Sequence, residues 1–159
     1  MVRVLFVCMG NICRSPISQG VFENILRREG LEEEVSVDSA GTGNWHVGSP
    51  PDTRAQRSAG LRGLDLGAQR ARQISPEDCG DFDYILTMDE ENFSVVSALC
   101  WESAVVRPFL DFAPDLPERE VPDPYHGGPD GFEHVLDLVE EASAGLLDDI
   151  RERHLRDRG

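Results

Sequence analysis

The sequence predicts an α/β fold: one domain over residues 1–159, built on a four-stranded parallel sheet with helices on both faces. Two observations carry this. Short, β-rich apolar runs alternate along the chain with stretches whose apolar residues recur at helical spacing, the pattern of a parallel sheet covered by helices. At 159 residues and 40% hydrophobic content, the chain is long enough for one core and too apolar for disorder. No repeat, linker or low-complexity tract interrupts it.

The elements follow in order. Val2 to Val7 forms a first strand ending at Cys8, and Ser15-Pro16 opens a helix carrying Ile17, Val21, Ile25 and Leu26, with Gly30 as its stop. Val35 to Ala40 alternates as a second strand before Gly41-Thr42-Gly43. Residues 44–81 are loop-rich, although Pro50-Pro51-Asp52 can start a helix that turns Ala55, Ala59 and Leu61 inward. A third strand is expected from Phe82 to Met88, then Asp89 as the N-cap of a helix reaching about Cys100, then a fourth strand from Ala104 to Phe112. Pro114, Pro117, Pro122, Pro124 and Pro129 make 113–130 a long loop. Phe132, Val135, Leu136, Val139, Ala142, Leu146 and Ile150 mark one face of a closing helix.

Composition removes whole classes of function. The formal net charge is −15, so the chain is expected to bind neither nucleic acid nor an anionic membrane, and no apolar run approaches the roughly 20 residues of a membrane span. All 15 basic residues are arginine. A Walker-type phosphate loop, a Schiff-base lysine and a lysine general base are thereby excluded. The cysteines at 8, 13, 79 and 100 have no CxxC pairing and no histidine at ligand spacing, so neither a metal nor a cofactor is implied. A domain of this size needs no staples and no secretory leader is read, which predicts a cytoplasmic protein with reduced thiols.

The chemistry is concentrated after the first strand, in Cys8-Met9-Gly10-Asn11-Ile12-Cys13-Arg14-Ser15-Pro16. Five residues between a cysteine and an arginine can wrap one tetrahedral dianion. The backbone N–H groups of Met9 to Arg14 point inward, and the following helix adds its positive N-terminus. Gly10 and Asn11 tolerate the positive φ that such a turn requires. Arg14 can fork two phosphate oxygens, and the same donors favour the thiolate of Cys8, with the Ser15 hydroxyl placed to donate to the sulfur. Against this stands the bland alternative of Cys8 and Cys13 as ordinary buried apolar side chains. An organic leaving group also needs a proton, and Asp123, framed by Pro122 and Pro124, is the candidate acid; its alternative is an exposed turn aspartate.

The segment Val7 to Pro16, together with Asp123-Pro124-Tyr125, resembles the low-molecular-weight protein tyrosine phosphatases. Further matches are dispersed over nearly the whole chain: Val37 to Thr42, Trp45 to Gly48, Pro51 to Arg54, Ala71 to Gln73, Asp83 to Leu86 and Met88-Asp89. The resemblance implies a four-stranded parallel sheet and a metal-free hydrolysis of phosphotyrosine and small aryl phosphates. In it Cys8 takes the phosphoryl group, Arg14 clamps it, and Asp123 acts first as acid and then as base. It further implies that Asn11 shapes the loop through bonds that include Ser39, that Ser15 supports the thiolate, and that Trp45 and Tyr125 wall the substrate ring. A reversible Cys8–Cys13 disulfide on oxidation is implied as well, while Cys79 and Cys100 match no family role and are expected to be structural thiols.

The implied partners are phosphotyrosine proteins, including a tyrosine kinase and its substrates, met by a monomer. Two positions depart from the pattern: His126 stands where a second tyrosine usually follows Tyr125, and Gln69 where a histidine commonly joins the Asn11 network. Three rivals remain to be weighed. A thioredoxin-coupled arsenate reductase needs two more cysteines close in sequence, and Cys79 and Cys100 are far apart. A protein-arginine phosphatase resembles the loop, but the apolar Ile12 suits an aryl ring better than a guanidinium. A silent phosphate-binding module has usually lost the nucleophile, the arginine or the acid.

Overall fold

A computed structural model describes residues 1–103, 105–125 and 127–155. Four parallel strands, β1 (Val2–Cys8), β2 (Val35–Gly41), β3 (Tyr84–Thr87) and β4 (Val106–Pro108), lie in the order β2-β1-β3-β4. Strands β1 and β3 take the two inner positions because each is apolar on both faces, with Tyr84 and Leu86 of β3 in the larger core and Ile85 in the smaller one. Val4, Phe6 and Cys8 join the larger core with helices α1 (Arg14–Arg28) and α5 (Pro129–His154), while Leu5 and Val7 face a smaller core that includes Val96 of α4 (Glu90–Leu99). Phe6 packs on Phe22 of α1 and on Phe109, all three fully buried; each such ring is worth about 1.5–3 kcal/mol in transfer from water.

Local signals account for the helix ends. Gly30 has φ +70°, and the N–H groups of Gly30 and Leu31 donate to the carbonyls of Arg27 and Leu26 at 3.2 and 2.8 Å, closing α1 as a Schellman motif. Asp52 caps α2 (Thr53–Gly60) by accepting the Arg54 N–H at 2.8 Å. Asp89 and Asn92 form a reciprocal capping box on α4. Pro129 begins α5, so the proline-rich loop ends there.

Three expectations need correction. Leu61 does not turn inward: α2 ends at Gly60, and Leu61, at its C-cap, is 80% exposed while Ser58 takes the inner position. The fourth strand is shorter than its apolar run, because after Pro108 the chain tightens into a 3₁₀ turn, Phe109–Phe112, that drives Phe109 and Leu110 into the core. Ala104, where that strand was expected to start, lies outside the described residues. Finally, Cys79 and Cys100 are not free thiols. A four-residue helix, α3 (Asp78–Asp81), for which the sequence has no periodic signal, brings Cys79 against the C-cap residue of α4, and the two form a disulfide with Cα atoms 5.3 Å apart.

Candidate active site

Cys8 is the last residue of β1, at the carboxyl edge of the sheet where parallel folds bind their ligands. The chain then turns through residues 9–13 into α1. No side chain caps that helix and no acidic residue lies in its first turn, so its leading N–H groups and positive pole face the loop. Cys8, Asn11, Cys13, Arg14 and Ser15 are all buried.

Asn11 is the hub of the loop. It is the non-glycine residue with positive φ, +57°, among the described residues, and its side chain fixes that turn from three directions. Its Nδ2 donates to Ser15 Oγ at 2.8 Å and to Ser39 Oγ at 2.9 Å, and its Oδ1 accepts the Arg72 N–H at 3.0 Å. Ser15 Oγ accepts from Asn11 and has two acceptors within reach of its own proton, Cys8 Sγ at 3.0 Å and the Ala40 carbonyl at 3.5 Å, of which the sulfur is the nearer. The Asn11 N–H donates to the same sulfur at 3.3 Å. The network extends where Gln69 departs from the pattern. Ser39 donates to Gln19 Oε1 at 2.8 Å, with Gln69 Oε1 at 3.5 Å, and Gln69 Nε2 holds the Pro16 carbonyl at 3.0 Å.

Gly10 plays a different part from the one expected. Its φ is not positive; instead a Cβ there would stand 3.0 Å from Cδ2 of His46, so the missing side chain is what lets His46 lie against the loop. The continuation of β2 secures the outer side, with the Thr42 and Gly43 N–H groups donating to the Cys8 and Met9 carbonyls at 2.9 and 3.0 Å.

Arg14 is 3% exposed, and its guanidinium is held before any ligand arrives. Nη1 donates to Asp89 Oδ2 at 2.6 Å and to the Val121 carbonyl at 3.0 Å, while Nη2 lies 3.8 Å from Asp123 Oδ2. Burial opposes its charge, but Cys8, Asp89 and Asp123 together push its pKa up, so it stays a cation. Burial also works to raise the Asp89 carboxyl, yet the Asn92 N–H and Arg14 outweigh it and hold that carboxyl below the usual carboxylate range. The ion pair therefore persists at every pH above that range and is lost only as acid protonates Asp89. The sequence marks Asp89 as a helix cap and, with Met88, as part of the resemblance, without a role in the site; its position two residues past the end of β3, beside β1, is the signal for that role.

Asp89→Asn is expected to keep the α4 cap, since asparagine caps as well as aspartate, while removing the charge that aims Arg14. We expect kcat/KM for an aryl phosphate to fall about 10-fold with little change in Tm, by steady-state kinetics and thermal unfolding. An unchanged kcat/KM would remove Asp89 from the site.

Asp123 comes from the long loop, which is pinned at Val121. The Val121 N–H donates to the Met88 carbonyl at 2.7 Å and its carbonyl accepts from Arg14. Asp123 is partly exposed, and its Oδ1 accepts the Tyr125 N–H at 3.0 Å. Cys8 and Arg14 lie in a pocket of about 400 Å³, with Met9, Gly10, Ile12, Cys13 and Asp123 around them and the rings of Trp45, His46 and Tyr125 as walls. Trp45 is 71% exposed, so core packing is excluded for it. His46, missed in the sequence, stands 6.5 Å from Tyr125 between ring centroids, and Arg54 stacks over the outer face of Tyr125 at 5.3 Å. His126 lies outside the described residues.

Cys8 and Cys13 are both free and buried. Burial, seconded by the Asp52 carboxylate, pushes the Cys13 thiol well up, so it remains protonated. The Cys79–Cys100 pair belongs to the core on the other face of the sheet from Cys8, which separates it from the pocket and removes the relay an arsenate reductase needs.

The model of the family described as low molecular weight phosphotyrosine protein phosphatase matches residues 3–156. The low molecular weight protein-tyrosine-phosphatase YfkJ of Bacillus subtilis is 39% identical over 153 residues, covering 95% of this chain and 97% of that protein, and its crystal structure superposes with a TM-score of 0.92. A protein tyrosine phosphatase from Entamoeba histolytica, crystallised with Hepes in its active site, has a TM-score of 0.92 at 34% identity, covering 96% and 98% of the two chains. A Drosophila arginine phosphatase is also similar, with a TM-score of 0.87 at 28% identity over 93% and 97%. With the family model spanning nearly the whole chain and relatives near 40% identity, the protein belongs to the low molecular weight phosphotyrosine protein phosphatases.

Proposed function

We propose that the chain, as one unit over 1–159, hydrolyses phosphotyrosine in proteins through a cysteinyl-phosphate intermediate, with Cys8 as nucleophile and Asp123 as general acid and base. The observation that carries this is the convergence of a buried thiol with two hydrogen-bond donors, a fixed guanidinium and an accessible carboxylate on one aromatic-walled pocket. The Cys8 sulfur forms a bond to phosphorus as the phosphorus–oxygen bond to tyrosine breaks. Asp123 gives its proton to the departing phenolic oxygen. Water then donates a proton to Asp123 as its oxygen attacks phosphorus, and the sulfur–phosphorus bond breaks to return the Cys8 thiolate and free phosphate. Backbone N–H groups of Met9 to Arg14 and the Arg14 fork follow the charge on the equatorial oxygens throughout.

The apolar Ile12 favours an aryl ring over a guanidinium, and Trp45 and Tyr125 wall that ring. The same reading takes Ser39 and Ser15 as supports of the loop and the thiolate. It makes the partners phosphotyrosine proteins, among them a tyrosine kinase and its substrates, and it places a monomer in the cytoplasm. Under peroxide, the Cys8 sulfenic acid would condense with the protonated Cys13 thiol, releasing water and sparing the nucleophile from over-oxidation.

Phosphate release from a phosphotyrosine peptide and a phosphoarginine peptide of the same sequence, without added metal, tests the proposal. Preference for phosphotyrosine by about 10²-fold or more in kcat/KM is expected. Preference for phosphoarginine would transfer the assignment to the activity named for the Drosophila relative, and turnover of neither would leave a phosphate-binding module.

A further inference from the structure

The Cys79–Cys100 disulfide is joined to the phosphate loop by a continuous set of charged and backbone contacts. Cys79 lies in α3, directly after Asp78. Asp78 is buried and grips Arg72 with both oxygens, Oδ2 to Nη1 at 2.9 Å and Oδ1 to Nη2 at 3.2 Å, while also accepting the Ser75 N–H at 2.8 Å. The main chain of Arg72 in turn braces the loop: its N–H donates to Asn11 Oδ1 at 3.0 Å and its carbonyl accepts the Gly41 N–H at 2.8 Å. Asn11 is the positive-φ residue on which the shape of the loop depends. One end of segment 72–79 therefore touches the hub of the site and the other is covalently tied to the end of α4.

The tie is chemically approachable from one side. Cys100 is buried, whereas Cys79 is only partly covered and borders a surface groove beside Trp101, which is 77% exposed. We propose that Cys79–Cys100 is a second redox site of this protein, remote from Cys8, whose reduction by a dithiol frees α3 and loosens the Asp78–Arg72 brace on Asn11. A thiolate of the dithiol bonds to the Cys79 sulfur. The disulfide breaks with its electron pair on Cys100, which takes a proton. The second thiol of the reagent then displaces Cys79, leaving two protein thiols and the oxidised, disulfide form of the reagent. A four-residue helix has little to hold it once the tie is cut. Asp38, which also accepts from Arg72 at 3.0 Å, keeps part of the brace in place, so weakening rather than loss of phosphate binding is the consequence.

The inference rests on the Cys8 loop being the phosphate site. The test uses the full chain with Cys8→Ser and Cys13→Ser, so that Cys79 and Cys100 are the remaining thiols, and measures inorganic phosphate binding by calorimetry before and after dithiol treatment. Thiol titration should rise from zero to two per chain, Tm should fall by about 5–10 °C, and phosphate should bind about 3- to 10-fold more weakly. With Asp78→Asn added, binding is weak from the start and reduction changes it less, because the link is already cut. The Cys79→Ser/Cys100→Ser pair in the same background should match the reduced state. Equal phosphate affinity in the two states overturns the coupling and leaves the loop assignment standing, as does an unchanged response in the Asp78→Asn chain. Two titratable thiols before treatment overturn the disulfide. No phosphate binding in either state overturns the loop assignment and the coupling with it.

Discussion

Cys8→Ser is expected to lower kcat for phosphotyrosine peptides by at least about 10⁴, or ~5 kcal/mol of barrier, while leaving inorganic phosphate binding within a few-fold of the parent. The two halves of the expectation come from different parts of the site. Serine keeps an oxygen where the sulfur stood, but its hydroxyl is far less acidic than a thiol. The Ser15 hydroxyl and the Asn11 N–H cannot make an alkoxide of it, and among the described residues no histidine is hydrogen-bonded to Cys8. The frame of the loop does not depend on sulfur. Asn11 is fixed by Ser15, Ser39 and the Arg72 N–H, the main chain by Thr42 and Gly43, and Arg14 by Asp89 and Val121, all of which survive the change. Stopped assays with phosphate as a titrated competitor separate the two. Turnover retained within 100-fold would mean that another group attacks phosphorus, and joint loss of turnover and phosphate binding would mean that the sulfur is structural.

Such independence of frame and nucleophile explains why so much of this site was legible in the sequence. The loop is contiguous, so the residues that wrap the anion, bend the chain and supply the guanidinium fall within nine positions, and their types state their geometry. Asp123 was legible for a similar local reason, the prolines on either side. What escaped was assembled across elements. Asp89 reaches Arg14 over 75 positions, His46 approaches because Gly10 lacks a side chain, and Gln19 meets Ser39 across the face of α1. None of these leaves a pattern along the chain. The same holds for the fold. Strands β1 and β2 and helices α1, α4 and α5 have the periodicity or caps of their kind. The disulfide depends on a four-residue helix, and the 3₁₀ turn at Phe109–Phe112 is imposed on a strand-like sequence by the core it fills.

Asp123→Asn is expected to cost 10²- to 10⁴-fold in kcat for a phosphotyrosine peptide, the usual worth of a positioned general acid. Asparagine is the informative replacement because its carbonyl can still accept the Tyr125 N–H, which Asp123 now does at 3.0 Å, so the loop keeps its shape and only the proton is lost. Removing the carboxylate 3.8 Å from Arg14 Nη2 also takes a competing anion away from the clamp, so KM should stay level or fall rather than rise. A loop that merely lost its shape would behave in the opposite way, raising KM as the Tyr125 wall drifted. The leaving group supplies the second discriminant. With Asp123 as the proposed acid, the parent delivers the proton as the bond breaks, and its kcat is expected to be nearly indifferent to the acidity of the departing phenol. Without it, the phenolate must leave unaided, and kcat should climb steeply across a series of aryl phosphates as the phenol becomes more acidic. A flat dependence in the Asp123→Asn enzyme would show that the proton comes from elsewhere, and the half-buried imidazole of His46 in the pocket wall would be the next group to replace.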